Sequence, residues 1–459
     1  MSSASVAGRP GLVARSRIPS TSSSAPSRRK VLWLASAFMG LAHITVLKQY
    51  FKGSIFALIE LLILIQLPVI IGNIRNLISL GEPQPELRVA ERDNSLFMMI
   101  DGVVTVAVLV LIAAIYFISV RSALKAHENW NLAGHRIKEE PIRHTLADKA
   151  FPILGLTPTV LLVGFLVVVP LVFSAAVAFT NYSAPDHIPP AATIDWVGLD
   201  TFRTVFGGDI QFTSALTRVF IWTLVWALMA TITCYFGGMI MAVFMNASKF
   251  KITPFIRAIC ILPYAIPGVV SLLFWQGMLN GAFGVVNRTL QQIGLLADGA
   301  TISWLTDETL ARFTVVAVNL WVGFPYFMLL ILGTMTAIPG DIIEAAEIDG
   351  ANKFQIFRRI TMPSVIYQTA PLMIISFAHN VNNFGAIFFL SGGGPVVADT
   401  TGTAAGGTDI MVSWIYNLTM INPTRQNIAS VLAIMIFVVL APVAIFNFRR
   451  TKSFKEGEL

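Results

Sequence analysis

The chain has 459 residues, 55% of them hydrophobic and only 12% charged, with a mean hydropathy of +0.72. So apolar a composition excludes a string of soluble domains and points to an all-α, polytopic membrane protein. The net charge of +7 then belongs to basic loops on one membrane face and implies no nucleic-acid partner.

Residues 1–30 are rich in Ser, Pro, Ala and Arg and lack apolar periodicity, which predicts a disordered, basic, cytoplasmic tail. Apolar runs follow at 31–48, 54–75, 97–119, 152–179, 215–246, 255–279, 311–336, 366–390 and 427–448. A helical span needs about 20 apolar residues, so nine candidates exist and charge must choose among them. Arg121, Lys125, Arg136, Lys138, Arg143 and Lys149 mark a cytoplasmic linker closing an N-terminal membrane region, 31–150. Lys249, Lys251 and Arg257, and later Arg449, Arg450, Lys452 and Lys455, mark further inside segments, the last in a short tail at 451–459. Acidic loops around Asp195, Asp298 and Asp399 alternate with them on the outside. Six spans between 151 and 450 fit this alternation. If 31–48 also crossed, the Arg-rich tail would lie outside, so that run is predicted to be interfacial or re-entrant, leaving eight spans. Cys234 and Cys260 lie in apolar runs and imply no disulfide framework. No Gly-rich phosphate-binding loop ending in Gly-Lys-Ser/Thr occurs, so any ATP is hydrolysed by another chain.

One polar stretch, 339–363, interrupts the hydrophobic second half. Pro339-Gly340 breaks the preceding helix, Asp341 and Glu344 have capping-box spacing, and Gly350 is placed to end a short helix carrying Ile342, Ile343, Ala346 and Ile348. Glu344-Ala345-Ala346, then Gly350, Ile360 and Met362-Pro363, resemble in spacing the EAA loop of ABC importer permeases, with Met362 where Leu is usual. That resemblance implies a coupling helix, with Glu344, Ala345, Ala346 and Gly350 meeting a cytoplasmic ATPase.

Within the spans, polar side chains are expensive and face a protein interior or a wet cavity. Asn319, Asn380, Asn382 and Asn383, with Tyr264, Trp321 and Tyr326, combine amides that donate and accept with aromatic faces. The set suits a neutral sugar; without a carboxylate or base among them, an ionic substrate is disfavoured. Asn380 and Asn383, three apart, would share one helix face, while Asn382 reads better as a packing residue.

The segments 257–267, 319–326, 380–384 and 392–395, with 407–416, resemble the MalF-type permease subunit of maltose/maltodextrin ABC importers over about 150–450. That resemblance implies a type I ABC importer permease fold, a six-helix core with extra N-terminal helices. It also implies a sugar site lined by Tyr264, Asn319, Gly323, Asn380 and Asn383, and no catalytic or metal site. The implied partners are a second, MalG-like permease, two ATP-binding cassette ATPase subunits that carry ATP and Mg, an extracytoplasmic sugar-binding protein, and membrane lipid. Gly268 departs from the family, where Ser can face the sugar, and 184–213 are too few for the large insertion of some relatives. Other neutral oligosaccharides fit the same residues. A secondary transporter would need ionisable groups deep in the core spans, where the sequence has none; Glu60 and Asp101 lie nearer the front.

Overall fold

The computed structural model describes residues 26–88, 91–136, 151–188, 192–247, 252–421 and 423–450. Within them the chain is helical, with a lone antiparallel bridge between Thr180 and Trp196. Helices satisfy every backbone polar group internally, which a hydrocarbon surround demands. Two compact units form: one from 1–79 and 97–170, the other from 80–96 and 171–459.

In the first unit, α1 (Arg28–Ala37) is capped by Ser27, whose hydroxyl accepts the Lys30 amide. The predicted tail therefore loses 28–30 to a helix, and 1–25 lie outside the described residues. A turn at Gly40 (φ +84°) leads to a π-helical turn, His43–Leu47, and then to α2 (Tyr50–Ser79). The run 31–48 is thus two short pieces with a reversal between them, neither long enough to cross. The reversal packs on α2: Gly40 abuts the Gly53 carbonyl so closely that no Cβ would fit, and the Met39 amide donates to Glu60 Oε2 at 3.0 Å. Glu60, an acid inside an apolar helix, finds its purpose as an acceptor for an otherwise orphaned amide. Helix α3 (Ser95–Ala133) follows; α4 (Phe151–Val163) leads through a π-helical turn, Gly164–Val168, to α5 (Val169–Val177), where the second unit takes over.

The second unit is built on α6 (Ile210–Ala247). Half of its most apolar window is buried, against none of α2's, so α6 is core where α2 is exposed along its apolar length. Around it stand α7 (Thr253–Ala265) and α8 (Gly268–Met278), bent 92° apart, then α9 (Glu308–Thr336) and α10 (Gly340–Ile348). Next come α11 (Lys353–Ile356), running through a π turn into α12 (Met362–Val381), then α13 (Phe384–Ser391), α14 (Met411–Met420) and α15 (Gln426–Arg450). Gly238 brings α6 onto α9: a Cβ there would lie 2.7 Å from the Met328 amide nitrogen. Backbone contact of this kind is how membrane helices pack when no hydrophobic force drives them together. Tyr235 ties α6 to α12 through its hydroxyl, 2.9 Å from Thr369 Oγ1.

Among the described residues six helices are long and apolar enough to cross a membrane, and α7–α8, taken as one broken span, makes seven. The predicted eight also needs α15, whose apolar stretch, Gln426–Pro442, is shorter. Residues 137–150 and 451–459, placed inside by charge, lie outside the described residues.

Candidate functional site

Four of the five predicted sugar-site residues, Asn319, Gly323, Asn380 and Asn383, gather around the middle of α6, and Tyr264 stands apart on α7 beside Tyr326. Asn319 of α9 has its Nδ2 3.4 Å from Cys234 Sγ, and a Cβ on Gly323, one turn further, would lie 2.7 Å from the same sulfur. Asn380 at the end of α12 is buried, and its Nδ2 donates to Thr231 Oγ1 at 3.1 Å. Thr231 and Cys234 are three apart on α6, so both asparagines hold one face of that helix. The Trp226 indole, again on α6, donates to the Asn380 carbonyl at 3.0 Å.

Asn380 and Asn383 do meet, Nδ2 of Asn383 lying 3.5 Å from Asn380 Oδ1. They do not share a helix face, however. Helix α12 stops at Val381, with Asn382 exposed at its C-cap, and Asn383 caps α13 by accepting the Ala386 amide. Consecutive asparagines compete with the helix for backbone partners, so the chain breaks between them. Asn380, Asn383 and Gly323 are thus committed to holding α6, α9, α12 and α13 together. They can set the shape of a site from behind its wall.

The aromatic members are the ones that face outward. Tyr264 precedes the α7–α8 bend, where Pro263 and Pro267 remove backbone donors, and it is 55% exposed. Its ring centroid lies 6.3 Å from that of Tyr326 on α9, itself 39% exposed. Trp321, five residues before Tyr326, packs edge-on against Trp275 of α8 with centroids 5.5 Å apart. Exposed phenols and an indole on two converging helices, with no charged side chain between 313 and 336, form an amphipathic and electrically neutral wall.

At the end of the unit that carries the 392–410 loop lies a network that sequence reasoning missed. Arg218 of α6 pairs with Asp399 and donates to the carbonyls of Ala405 and Gly406, while Arg312 of α9 donates to Gly407 and pairs with Glu308. Trp222 and Trp414 donate to the carbonyls of Thr408 and Thr403. The visible signal was a cation near the start of each of two apolar runs, 215–246 and 311–336; their acceptors lie up to 188 residues away in sequence. Asp409 is buried beneath the loop and accepts from the Gly406 amide, Ser413 and Asn417. Burial pushes its carboxyl up to about 6 from 3.8, against the opposing pull of those donors and of Arg218. The folded state therefore holds this proton better than the unfolded chain. Its stabilising effect is full below pH 3.8 and is lost as pH rises through about 6. The difference amounts to about 3 kcal/mol. Asp409→Asn should flatten stability between pH 4 and 6, read as the melting temperature of the purified protein across that range; an unchanged slope would assign the pH dependence to other groups.

The 339–363 stretch departs from the expected shape at its start and keeps it at its end. Pro339 occupies the N-cap position of α10, so Asp341 falls inside the first turn and no Asp341–Glu344 capping box forms. The box belongs instead to Asn352 and Gln355 at α11. Gly350 ends α10 as expected. At φ +82° its amide donates to Glu347, and the Ala351 amide donates to Ala346, a Schellman ending. A π turn, Phe357–Thr361, carries α11 straight into α12, with Pro363 in the first turn of α12. No residue of α10 is buried, and Ile348 is 86% exposed.

Residues 235–450 match the family described as binding-protein-dependent transport system inner membrane component. The galactooligosaccharides transport system permease protein GanP of Bacillus subtilis is 37% identical over 93% of this chain and 99% of its own length. This chain belongs to that permease family. The maltodextrin transport system permease protein MalC of Streptococcus pneumoniae is 33% identical, covering 92% of this chain and 95% of that one. Among solved structures, a bacterial alginate ABC transporter chain superposes with a TM-score of 0.53 at 22% identity, over 69% of this chain and 99% of that one, which shows the shared type I permease fold. The protein is accordingly a multi-pass inner-membrane permease of an ABC importer and not itself an enzyme. An importer of this family works with partner subunits and a binding protein.

Proposed function

We propose that this permease carries a neutral oligosaccharide, with malto-oligosaccharides as its substrate class. A second, MalG-like permease would complete the path, two ATPase subunits would bind ATP and Mg, and an extracytoplasmic sugar-binding protein would deliver the sugar. The observation that carries the reading is the uncharged Tyr264–Tyr326 wall beside Trp321, with exposed rings to stack on sugar faces and hydroxyls to bond with theirs. Names of relatives that transport maltodextrin or maltose support it. Asn319, Gly323, Asn380 and Asn383 set the position of that wall through α6. Glu344, Ala345, Ala346 and Gly350 form the lever, with the exposed Ile342 and Ile348 offered to an ATPase groove as an apolar knob. Transport then needs two states, open inward and open outward, whose balance ATP binding shifts.

A second reading, galacto-oligosaccharides, is favoured by the 37% identity with GanP over nearly its whole length. Uptake into membrane vesicles loaded with ATP and supplied with the cognate binding protein separates the two. Competition by maltotriose and not by galactotriose is expected, with Tyr326→Ala reducing uptake about tenfold, the loss of about 1.4 kcal/mol. Competition by galactotriose alone would establish the second reading. Uptake of a charged sugar with Tyr326→Ala unaffected would refute both.

A further inference from the structure

The second unit holds a cavity of about 290 Å³ between the loop that leads into α3 and the segment that follows α5. Its walls come from residues within 82–96 and 182–194. The basic end of α3, with Arg121 and Lys125, belongs inside, so the start of that helix and the cavity beside it face outside.

Both walls are set before any ligand arrives. In the first, the Glu82 amide donates to Asp93 Oδ2 at 3.1 Å and the Asp93 amide donates to Gln84 Oε1 at 3.0 Å. Arg92 donates to the carbonyls of Leu87 and Pro85, each at 2.9 Å. In the second, the Tyr182 amide donates to Thr180 Oγ1 at 3.3 Å, and its carbonyl accepts the Asn427 amide at 3.1 Å. The ring nitrogens of buried His187 lie 3.2 and 3.1 Å from the Ser183 and Thr193 carbonyl oxygens, with the Tyr182 ring 6.4 Å away. The Ile194 amide donates to Ser95 Oγ at 3.0 Å and ties the two walls together.

Several polar groups lining this cavity remain unspent among the described residues. Neither Glu82 nor Asp93 has an ion-pair partner, although Arg92 lines the same space. The Glu82 carboxylate and the Tyr182 hydroxyl make no hydrogen bond, and Asp93 Oδ1, Gln84 Nε2 and Arg92 Nη1 are likewise unused. Acceptors, donors and an aromatic ring thus share one preformed space. A sugar asks for this mixture, since each hydroxyl both gives and takes a hydrogen bond and a ring face packs on a phenol. A metal ion fits poorly, because no group of three His, Cys, Asp or Glu side chains gathers among the described residues. An anion would meet two carboxylates against one guanidinium.

We propose, resting on the oligosaccharide cargo argued above, that this cavity binds the end of a neutral sugar chain at the outer face, as a subsite separate from the Tyr264–Tyr326 wall. Glu82 and Asp93 accept from sugar hydroxyls, Gln84 and Arg92 donate to them, and Tyr182 supplies a ring face and a hydroxyl. Small-ligand pockets begin at about 300 Å³, so the cavity takes a chain end and not a long chain.

The test is photolabelling of the full importer in lipid nanodiscs without binding protein. The probes are maltotriose and galactotriose, each carrying a diazirine at its reducing end, and labelled peptides are read by mass spectrometry. Labelling within 80–96 or 182–188 is expected from at least one probe, and excess unmodified trisaccharide should remove it. The triple variant Glu82→Gln, Asp93→Asn, Tyr182→Phe alters only unspent groups and keeps the Asp93 acceptor for the Glu82 amide. It should raise the probe concentration for half-labelling there at least about tenfold. Tyr326→Ala should leave this labelling unchanged. If the triple variant fails to assemble, Tyr182→Phe alone should raise that concentration about threefold. Labelling confined to peptides from 260–330, outer labelling that survives the variants unchanged, or labelling that free sugar does not remove would overturn the subsite and leave the oligosaccharide cargo standing. Labelling of neither region by either probe would overturn both.

Discussion

Gly350→Pro should abolish sugar uptake while leaving the protein in the membrane at its normal level. Proline fixes φ near −65°, whereas Gly350 sits at +82°, and proline has no amide to give the Glu347 carbonyl. It also pushes Asp349 out of the helical region, so the end of α10 must unwind and the exposed Ile348 must swing away. Nothing packs within 4 Å of where a Gly350 Cβ would stand, so the damage is confined to the path of the backbone. The local cost is about 3 kcal/mol, enough to redirect an exposed loop and too little to unfold a polytopic protein. Uptake should fall at least about tenfold and ATP hydrolysis should lose its dependence on sugar. Gly350→Asn, which tolerates the left-handed conformation, should retain most activity. Membrane content measured by immunoblot separates lost coupling from lost protein. Normal uptake by the proline variant would contradict the assignment of this loop as the lever.

Gly238→Leu should be as damaging to the fold as Gly350→Pro is to coupling. Its Cβ would lie 2.7 Å from the Met328 amide nitrogen and from Phe327 Cβ, and 2.9 Å from the Phe324 carbonyl oxygen. Two of these are backbone atoms of α9, which no rotamer change can move, so α6 and α9 must part. Overpacking costs about 1–3 kcal/mol where side chains can adjust, and helix backbones cannot. Separation would also break the grip of Asn319 and Gly323 on Cys234, just over one turn away on α6. A fall of at least about 5 °C in melting temperature is expected, with loss of the monodisperse peak on size exclusion. Gly237→Ala is the control: its Cβ meets only the Leu320 Cδ1 tip at 2.7 Å, with Phe324 Cβ at 3.6 Å, and a side-chain tip can yield. Equal stability of the two variants would show that the α6–α9 contact is not what organises the unit.

The sequence made the local rules legible and hid the distant ones. Gly350 was readable because a left-handed helix ending calls for glycine wherever it occurs. The break at 339–340 was readable from its Pro-Gly pair. The Asp341–Glu344 box failed because spacing does not say where a helix starts, and Pro339 placed that start two residues too early. Asn380 and Asn383 looked like one helix face because periodicity assumes an unbroken helix, and the asparagines themselves broke it. Thr231 and Cys234 carried no signal at all, since a Thr or Cys in an apolar span is ordinary until its partner is known. Glu60 stood out as a charge in an apolar run, while Arg218 and Arg312 were passed over, and only the fold shows that backbone amides and carbonyls answer all three.

The central claim is that a neutral sugar outside governs ATP hydrolysis inside through this chain, and one measurement addresses it directly. The permease is purified gently from its native membranes with whatever subunits accompany it, and ATP hydrolysis is followed with and without the binding protein and its sugar. The account predicts a co-purifying ATPase whose turnover rises at least about tenfold only when binding protein and sugar are both present, and not at all in Gly350→Pro. An assembly lacking an ATPase, or hydrolysis indifferent to sugar-loaded binding protein, would contradict it.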